Sequence, residues 1–273
     1  MSVVESPTEA SLRDHGLVVP PAHSILSLAD RPELRSAVGD FNAGAWPDFM
    51  LEDRVANRLW HHLFEDFAPF QLVLLDAVGQ IAAAGNSAPL AWDGTDDGLP
   101  EGWDDQFERT VADLVAGRAP TTLGALQIVV DPARRGTGLA GVMIEAMRAN
   151  ARAHGLSALI ACVRPTSKDR YPATPIETYA AWVRADGQPF DPWIRLHVRA
   201  GGRIVRAAPH SMTIRGSVAE WESWTGMAFP ESGDHVLEGG AATVHIDREA
   251  DEGVYHDPNV WIVHDLAREG SAG

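Results

Sequence analysis

VVDPARRGTGLAG, Val129 to Gly141, decides how the rest of the chain is read. The run LGALQIVV ahead of it is a strand, and the residues after Leu139 repeat apolar side chains at steps of three and four, the pattern of a helix. The turn between them is a strand-to-helix loop rich in glycine. A helix start leaves backbone N–H groups without partners and carries a partial positive charge, which suits an anion. Small residues at Gly136, Gly138, Ala140 and Gly141 let a phosphate approach the backbone closely. GTGLAG also fits the dinucleotide fingerprint G-x-G-x-x-G. That reading meets two obstacles. Five residues, DPARR, separate the strand from Gly136, and Cys162, Val163 and Arg164 stand where a ribose-binding acid is expected. Arg164 could instead read a 2′-phosphate, so a nicotinamide cofactor stays open at this stage.

Outward from the loop, the helix closes at His154-Gly155, with glycine in the stop position. LSALIACV (156–163) follows as an all-apolar strand of the kind buried on both faces. QLVLLD and QIAAAGN, joined through Ala77-Val78-Gly79, read as a hairpin. SILSLAD (24–30) is a strand with Asp30 capping a short helix. Val55, Leu59, Leu63 and Phe67 share one face of a helix spanning Leu51 to Phe67. Thr174-Pro175-Ile176-Glu177 reads as a capping box opening a helix to Asp186-Gly187, and Asp191-Pro192 opens another that ends at Gly201-Gly202. RIVRAAPHSMTIRG, AATVHID and NVWIVHDL complete the strands, with a short helix at Ser217-Val218-Ala219-Glu220. The segment 92–119 is crowded with acids and reads as a solvated loop with a short helix, or as an acidic lip over a cleft. This order predicts an α/β fold with a mixed sheet. Residues 1–23 form a loose or packed arm, 24–215 the core with insertions near 92–119 and 164–190, and 216–273 a C-terminal extension packed on the same domain.

Composition narrows the partners. A net charge of −16 argues against nucleic acid and anionic membranes. The first residues are too polar for a signal peptide, no apolar run is long enough to span a bilayer, and the single cysteine, Cys162, cannot form an internal disulfide. The expected location is the cytoplasm, and the oligomeric state stays open, with a homodimer as one possibility. His61-His62 point to different sides of their helix and His245-x-Asp247 lacks a third partner, so no metal is expected.

Arg135-Gly136-Thr137-Gly138-Leu139-Ala140 resembles the R/Q-x-x-G-x-G/A loop of the GCN5-related N-acetyltransferase superfamily, in which a strand ending in V-x-P, here Val130-Asp131-Pro132, precedes the loop. The resemblance covers about Ser24 to Arg215 and is closest from Leu126 to Val163. It implies a mixed, mostly antiparallel central sheet flanked by helices. It also implies an acyl-CoA co-substrate, acetyl-CoA by expectation, whose pyrophosphate meets Arg135, Gly136, Thr137, Gly138, Leu139, Ala140 and Gly141. The pantetheine chain would pair with the backbone of Ile128, Val129 and Val130. The acceptor implied is the amine of a small molecule, acylated directly. A longer acyl group, decarboxylation of a malonyl thioester, or a non-catalytic acyl-CoA sensor are the alternatives on the same fold.

The family's tyrosine, which protonates the departing thiolate, aligns with His197 in DPWIRLHVRAGG, where Gly201-Gly202 stand for Gly-Phe. His197 could serve as an imidazolium acid or as the base, or pack as an ordinary helix histidine. Asp48 and Glu52 are candidate bases on the acceptor side, or capping carboxylates of a helix start. Arg164, Lys168 and Arg170 are candidates for the cofactor's 3′-phosphate or a substrate carboxylate, or form a solvated charge run.

Overall fold

The computed structural model describes residues 5–267. Among them, one sheet is built from β1 (His23–Ser27), β2 (Gln71–Asp76), β3 (Ile81–Leu90), β4 (Thr122–Val130), β5 (Ala158–Val163), β6 (Arg203–Gly216), β7 (Gly233–Val236), β8 (Thr243–Asp247) and β9 (Glu252–Asp265). The order is β1-β2-β3-β4-β5-β9-β8-β7, with β6 running along the other side of β9. Only β4 and β5 pair in parallel; every other pairing is antiparallel. The mixed, mostly antiparallel α/β sheet expected from the sequence is the observed one.

The helices are α1 (Pro7–Asp14), α2 (Arg35–Ala43), α3 (Arg54–Leu59), α4 (His61–Glu65), α5 (Trp103–Ala116), α6 (Leu139–Ala153), α7 (Ile176–Ala180), α8 (Pro192–Arg199) and α9 (Val218–Thr225). α1 and α6 pack on one face of the sheet, where Met143, Met147 and Leu139 meet Leu72, Leu74, Leu123 and Leu159. The other face carries α5 and α9 over Phe107, Trp221, Ile160, Ile214 and Trp261. Each such side chain, fully buried, stabilises the fold by about 1.5–3 kcal/mol. α1 belongs to residues read as an arm: Ser6 caps it, and the buried Glu9 carboxylate accepts the N–H of Ile25 at 3.0 Å, tying α1 to β1.

Four sequence expectations are corrected. The helix over 51–67 is broken: residues Asp48–Glu52 form a 3₁₀ turn, and the Asp53 side chain accepts the Ala56 N–H at 2.7 Å, so α3 starts only at Arg54. The helix from Thr174 to Asp186 shrinks to the five residues of α7, with Pro175 at its cap and no side-chain cap bond. Val183 bridges Pro189 across a turn at Gly187 (φ +75°), and Tyr171, Tyr179, Trp182 and Phe190 pack edge to face instead. The acidic segment is no lip. Its 14-residue α5 is a core helix whose inner face holds Trp103, Gln106, Phe107, Thr110 and Asp113. Asp30 accepts the Ser27 N–H rather than capping the next helix.

The feature that positions the site is a fork. β4 and β5 pair only from Thr122↔Ala158 to Ala125↔Ala161. At the next residue β4 carries a bulge, since Asn86 faces Gln127 and Ser87 faces Ala125, leaving Leu126 without a partner. A bulge bends and twists its strand. Trp103 stands in the opening, its indole N–H donating to the Leu126 carbonyl at 2.8 Å and its backbone N–H to Ser211 Oγ at 2.9 Å. Gly102 lets α5 come this close: a Cβ there would lie 2.4 Å from Ser211 Cα and 2.6 Å from its carbonyl oxygen. Backbone atoms cannot swing aside as a side-chain tip can. Gly102→Ala is therefore expected to lose about 2 kcal/mol in urea unfolding, with a lowered midpoint and an unchanged slope; wild-type stability would show that α5 is not held at this contact.

Candidate functional site

The fork opens into a cleft of about 850 Å³ that passes between β4 and β5. On the α6 side its walls include Ile128, Val129, Val130, Arg135 and Ala140. β3 satisfies one edge of this stretch of β4, while the edge toward β5 is unpaired beyond Ala125. A strand edge with free N–H and C=O groups can pair with an extended amide-bearing chain. The glycine loop lies just beyond. Arg134 is held by Asp76 and Asp131, and Thr137 Oγ1 donates to the Arg134 carbonyl at 2.6 Å. Gly136 and Gly138 sit at φ +78° and +91°, conformations that only glycine adopts without strain. Among the described residues no backbone carbonyl takes the N–H groups of Gly136 through Ala140, whereas Gly141 already bonds Gly138. The bare amides therefore lie at the solvent-facing start of the 15-residue α6, with Leu139 buried beneath them.

His197 also lines the cleft, on α8, whose start is capped by Asp191 through the N–H groups of Trp193 and Ile194. Its Nδ1 lies 3.1 Å from His264 Nε2, so Nε2 is the nitrogen left for a ligand. Burial, with a smaller contribution from His264, pulls the His197 pKa down to about 3. At neutral pH the ring is uncharged. The imidazolium acid considered from the sequence is corrected on this point, because a charge there would be stranded among apolar groups.

The opposite half of the cleft is walled by Trp46, Trp60 and Trp103, with Asn42, Gln127, Cys162, Arg164 and Asn259. Arg164 Nε reaches both carboxylate oxygens of the buried Asp257 at 3.0 Å, and one Nη donates to the Gly239 carbonyl. Its guanidinium lies 5.7 Å from the centre of the Trp46 ring. The Cys162 thiol contacts Ser211 Oγ at 3.1 Å, and burial pushes its pKa up to about 12, so it is no nucleophile at neutral pH.

The remaining expected site residues lie elsewhere. Asp48 and Glu52 are exposed on their 3₁₀ turn, outside the cleft walls. Lys168 is buried away from the cleft, donating to the carbonyls of Tyr171 and Ala241 at 2.7 Å, and Arg170 is exposed. Two further carboxyls stand near the acceptor wall, the buried Asp53 and the half-buried Asp104, neither of which stood out in the sequence. Among the described residues Asp53 Oδ2 and Asp104 Oδ1 are buried with no hydrogen-bond donor beside them. Loss of water around it, then repulsion from Asp53, pushes Asp104 up to about 8. The pair holds a proton at neutral pH. Among the described residues no three His, Cys, Asp or Glu side chains are placed to hold a metal, and no helix is long and apolar enough to cross a membrane.

A strand fork beside a glycine-rich helix start defines an acyl-CoA-binding class of α/β protein, and similarity to known proteins agrees. No family model matches the chain. It is 32% identical over 286 residues to the arginine N-acetyltransferase avaD of Aspergillus versicolor, covering 93% of this chain and 98% of that one. In fold it is similar to the loading GNATL domain of CurA from Lyngbya majuscula, with a TM-score of 0.56, 15% identity, and 90% and 98% of the two chains covered. It is also similar to the GphF GNAT-like decarboxylase in complex with isobutyryl-CoA, with a TM-score of 0.54, 20% identity, and 89% and 98% covered. The chain belongs to the GCN5-related N-acetyltransferase superfamily. It is an acyltransferase that takes its acyl group from a coenzyme A thioester and delivers it to the amine of a small molecule.

The carboxyl pair behind the acceptor wall makes stability depend on pH in a defined direction. Asp104 is raised in the fold, so the folded protein keeps a proton that the unfolded chain has released above the ordinary carboxylate range. Its contribution is complete at low pH and is lost as pH rises toward 8. Asp104→Asn keeps an acceptor for the Thr213 N–H, which now bonds Oδ2 at 3.0 Å, and removes the titration. Between pH 5 and pH 9 this variant is expected to lose at least about 1 kcal/mol less stability than wild type in urea unfolding; equal losses would mean that the two carboxyls do not share a proton.

Proposed function

We propose that the donor is acetyl-CoA and that the acceptor is a small primary amine of the arginine kind, acylated directly without a covalent enzyme intermediate. The observation that carries this reading is the through-cleft at the β4–β5 fork, which joins the bare amides of the glycine loop to a chamber walled by Trp46, Trp60 and Trp103. The amides of Gly136, Thr137, Gly138, Leu139 and Ala140, with Gly141 behind them and Arg135 beside them, suit the pyrophosphate, since a helix start is a preformed anion site. The open edge of Ile128, Val129 and Val130 suits the amides of the pantetheine arm. The thioester supplies an acyl carbon activated toward amines.

Transfer forms one C–N bond, breaks the C–S bond and moves one proton from nitrogen to sulfur. We assign the relay of that proton to His197 Nε2, which takes it from the nitrogen as the C–S bond breaks and passes it to the sulfur, the ring being neutral before and after the transfer. A direct route is supported by the unreactive thiol of Cys162, the chain's single cysteine. Arg164 is the cation of the acceptor half, so an acceptor with a carboxylate finds a counter-charge there. The tryptophans favour a cationic tail through their ring faces. The Aspergillus versicolor relative, an arginine N-acetyltransferase, points the same way. The net charge of −16 disfavours nucleic acid and anionic membranes as partners.

Release of free thiol from acetyl-CoA in the presence of single amines tests the proposal. Arginine is expected to give thiol and N-acetylarginine in equal amounts; an enzyme that binds CoA yet releases no thiol with any amine would contradict it.

A further inference from the structure

One row of buried amide side chains in the acceptor half is not used by the chemistry above. Gln71, Asn86 and Gln127 face one another across β2, β3 and β4. They lie on the sheet face away from α6, because Gly85, one residue before Asn86, faces Met143 and Met147 of α6. Asn42 joins the row from α2. The hydrogen bonds leave no freedom in how these amides point. Gln71 Nε2 donates to the backbone carbonyls of Phe67 and Ser87, both at 2.8 Å, so its oxygen must face Asn86. Asn86 Nδ2 donates to that oxygen at 2.9 Å, so its own oxygen must receive Asn42 Nδ2, at 2.8 Å. Asn42 Oδ1 is thereby left as an acceptor. At the other end, the Trp46 indole can only donate, and it donates to Gln127 Oε1 at 3.3 Å. Gln127 Nε2 is thereby left as a donor.

Among the described residues both leftover atoms are buried without a partner, on side chains that line the cleft and are 3% (Asn42) and 9% (Gln127) exposed. A buried donor and a buried acceptor each cost about 1–3 kcal/mol when left unmet, so a site that keeps both implies a ligand that meets both. They flank Asn86, at the level where β4 leaves β5. Beyond Gln127, Trp46 carries the Arg164 guanidinium over its ring, so positive charge lies on the donor's side of the couple.

We infer that Asn42 and Gln127 read the amino and carboxylate groups of an α-amino acid, Asn42 Oδ1 receiving an N–H of the α-amine and Gln127 Nε2 donating to the adjacent carboxylate. This rests on the acetyl-transfer reading above and names the nucleophile within it: the α-nitrogen, not a side-chain nitrogen. A guanidinium offers only N–H groups and leaves Gln127 unmet, and a simple alkylamine has no oxygen for it. The amino–carboxylate couple supplies one donor and one acceptor on neighbouring atoms. Asn42 holds one N–H, which turns the nitrogen lone pair away from it.

Arginine and agmatine, its decarboxylated analogue, separate the possibilities, with kcat/KM read by thiol release and CoA affinity read by calorimetry as a check on folding. Wild type is expected to favour arginine at least about 10-fold and to yield the Nα-acetyl product. Gln127→Met removes the donor and Gln127→Glu places a carboxylate against the substrate's own. Both are expected to lower kcat/KM about 10- to 100-fold more for arginine than for agmatine, Gln127→Glu more than Gln127→Met, with CoA still bound. Equal loss on both substrates, a wild type indifferent to the carboxylate, or acetylation on the guanidino group would overturn the inference and leave the acyltransferase reading standing. Thiol release from neither substrate nor any other amine would overturn both.

Discussion

The indole of Trp103 bonded to the Leu126 carbonyl is the contact on which the site depends. β4 and β5 begin as neighbours and would close on each other if both continued straight. The unpaired Leu126 turns β4 aside, and Trp103 fills the angle while satisfying the carbonyl that the bulge leaves exposed. Ser211, on a stretch of β6 whose register also shifts, holds the Trp103 backbone, the Cys162 thiol and the Asn259 amide. Four elements thus meet at one hydroxyl. A strand edge that cannot be paired from within the protein is costly in a core but useful beside a ligand that carries its own amides.

The two halves of the cleft differ in how they handle charge. On the glycine-loop side the positive potential comes from backbone dipoles and from the exposed Arg135. On the acceptor side it comes from Arg164, which is partly neutralised by Asp257, while Tyr255 also donates to that carboxylate at 2.6 Å. Much of the acceptor wall is made of oriented amides, indoles and a neutral thiol. His197 sits between the halves and is kept neutral by burial. A site arranged this way places charge only where a substrate brings the opposite charge, and keeps the reacting centre dry.

Much of the fold was legible because its signals are local. The loop from Asp131 to Gly141, strands β5 and β6, the Asp191 cap and the short helix opening at Ser217 each rest on neighbouring residues, and all appear at the expected places. β7 was missed because four residues, GDHV, carry no usable period. Thr174-Pro175-Ile176-Glu177 has the letters of a capping box, but the chain prefers to bury Tyr179 and Trp182 in an aromatic cluster, and the helix stops at Ala180. The acceptor half was the least legible. Asn42, Trp46, Asn86, Trp103 and Gln127 are scattered over 85 residues and meet only through the sheet register. Asp53 and Asp104 pair across 51 positions in the same way. Each alone reads as a cap or a filler, and the nearby Asp48 and Glu52 drew attention because they were acidic, although they point into water.

A crystal structure of the protein with bound CoA is the most direct test of the central claim, that the β4–β5 fork is where the acyl carrier threads the sheet. The account predicts the diphosphate on the amides of Gly136 to Ala140, pantetheine amides paired with the open edge of Ile128 to Val130, and the sulfur at the fork within reach of His197 Nε2. A CoA molecule lying outside the fork, with β4 and β5 in contact beyond Ala125 and Ala161, would contradict it.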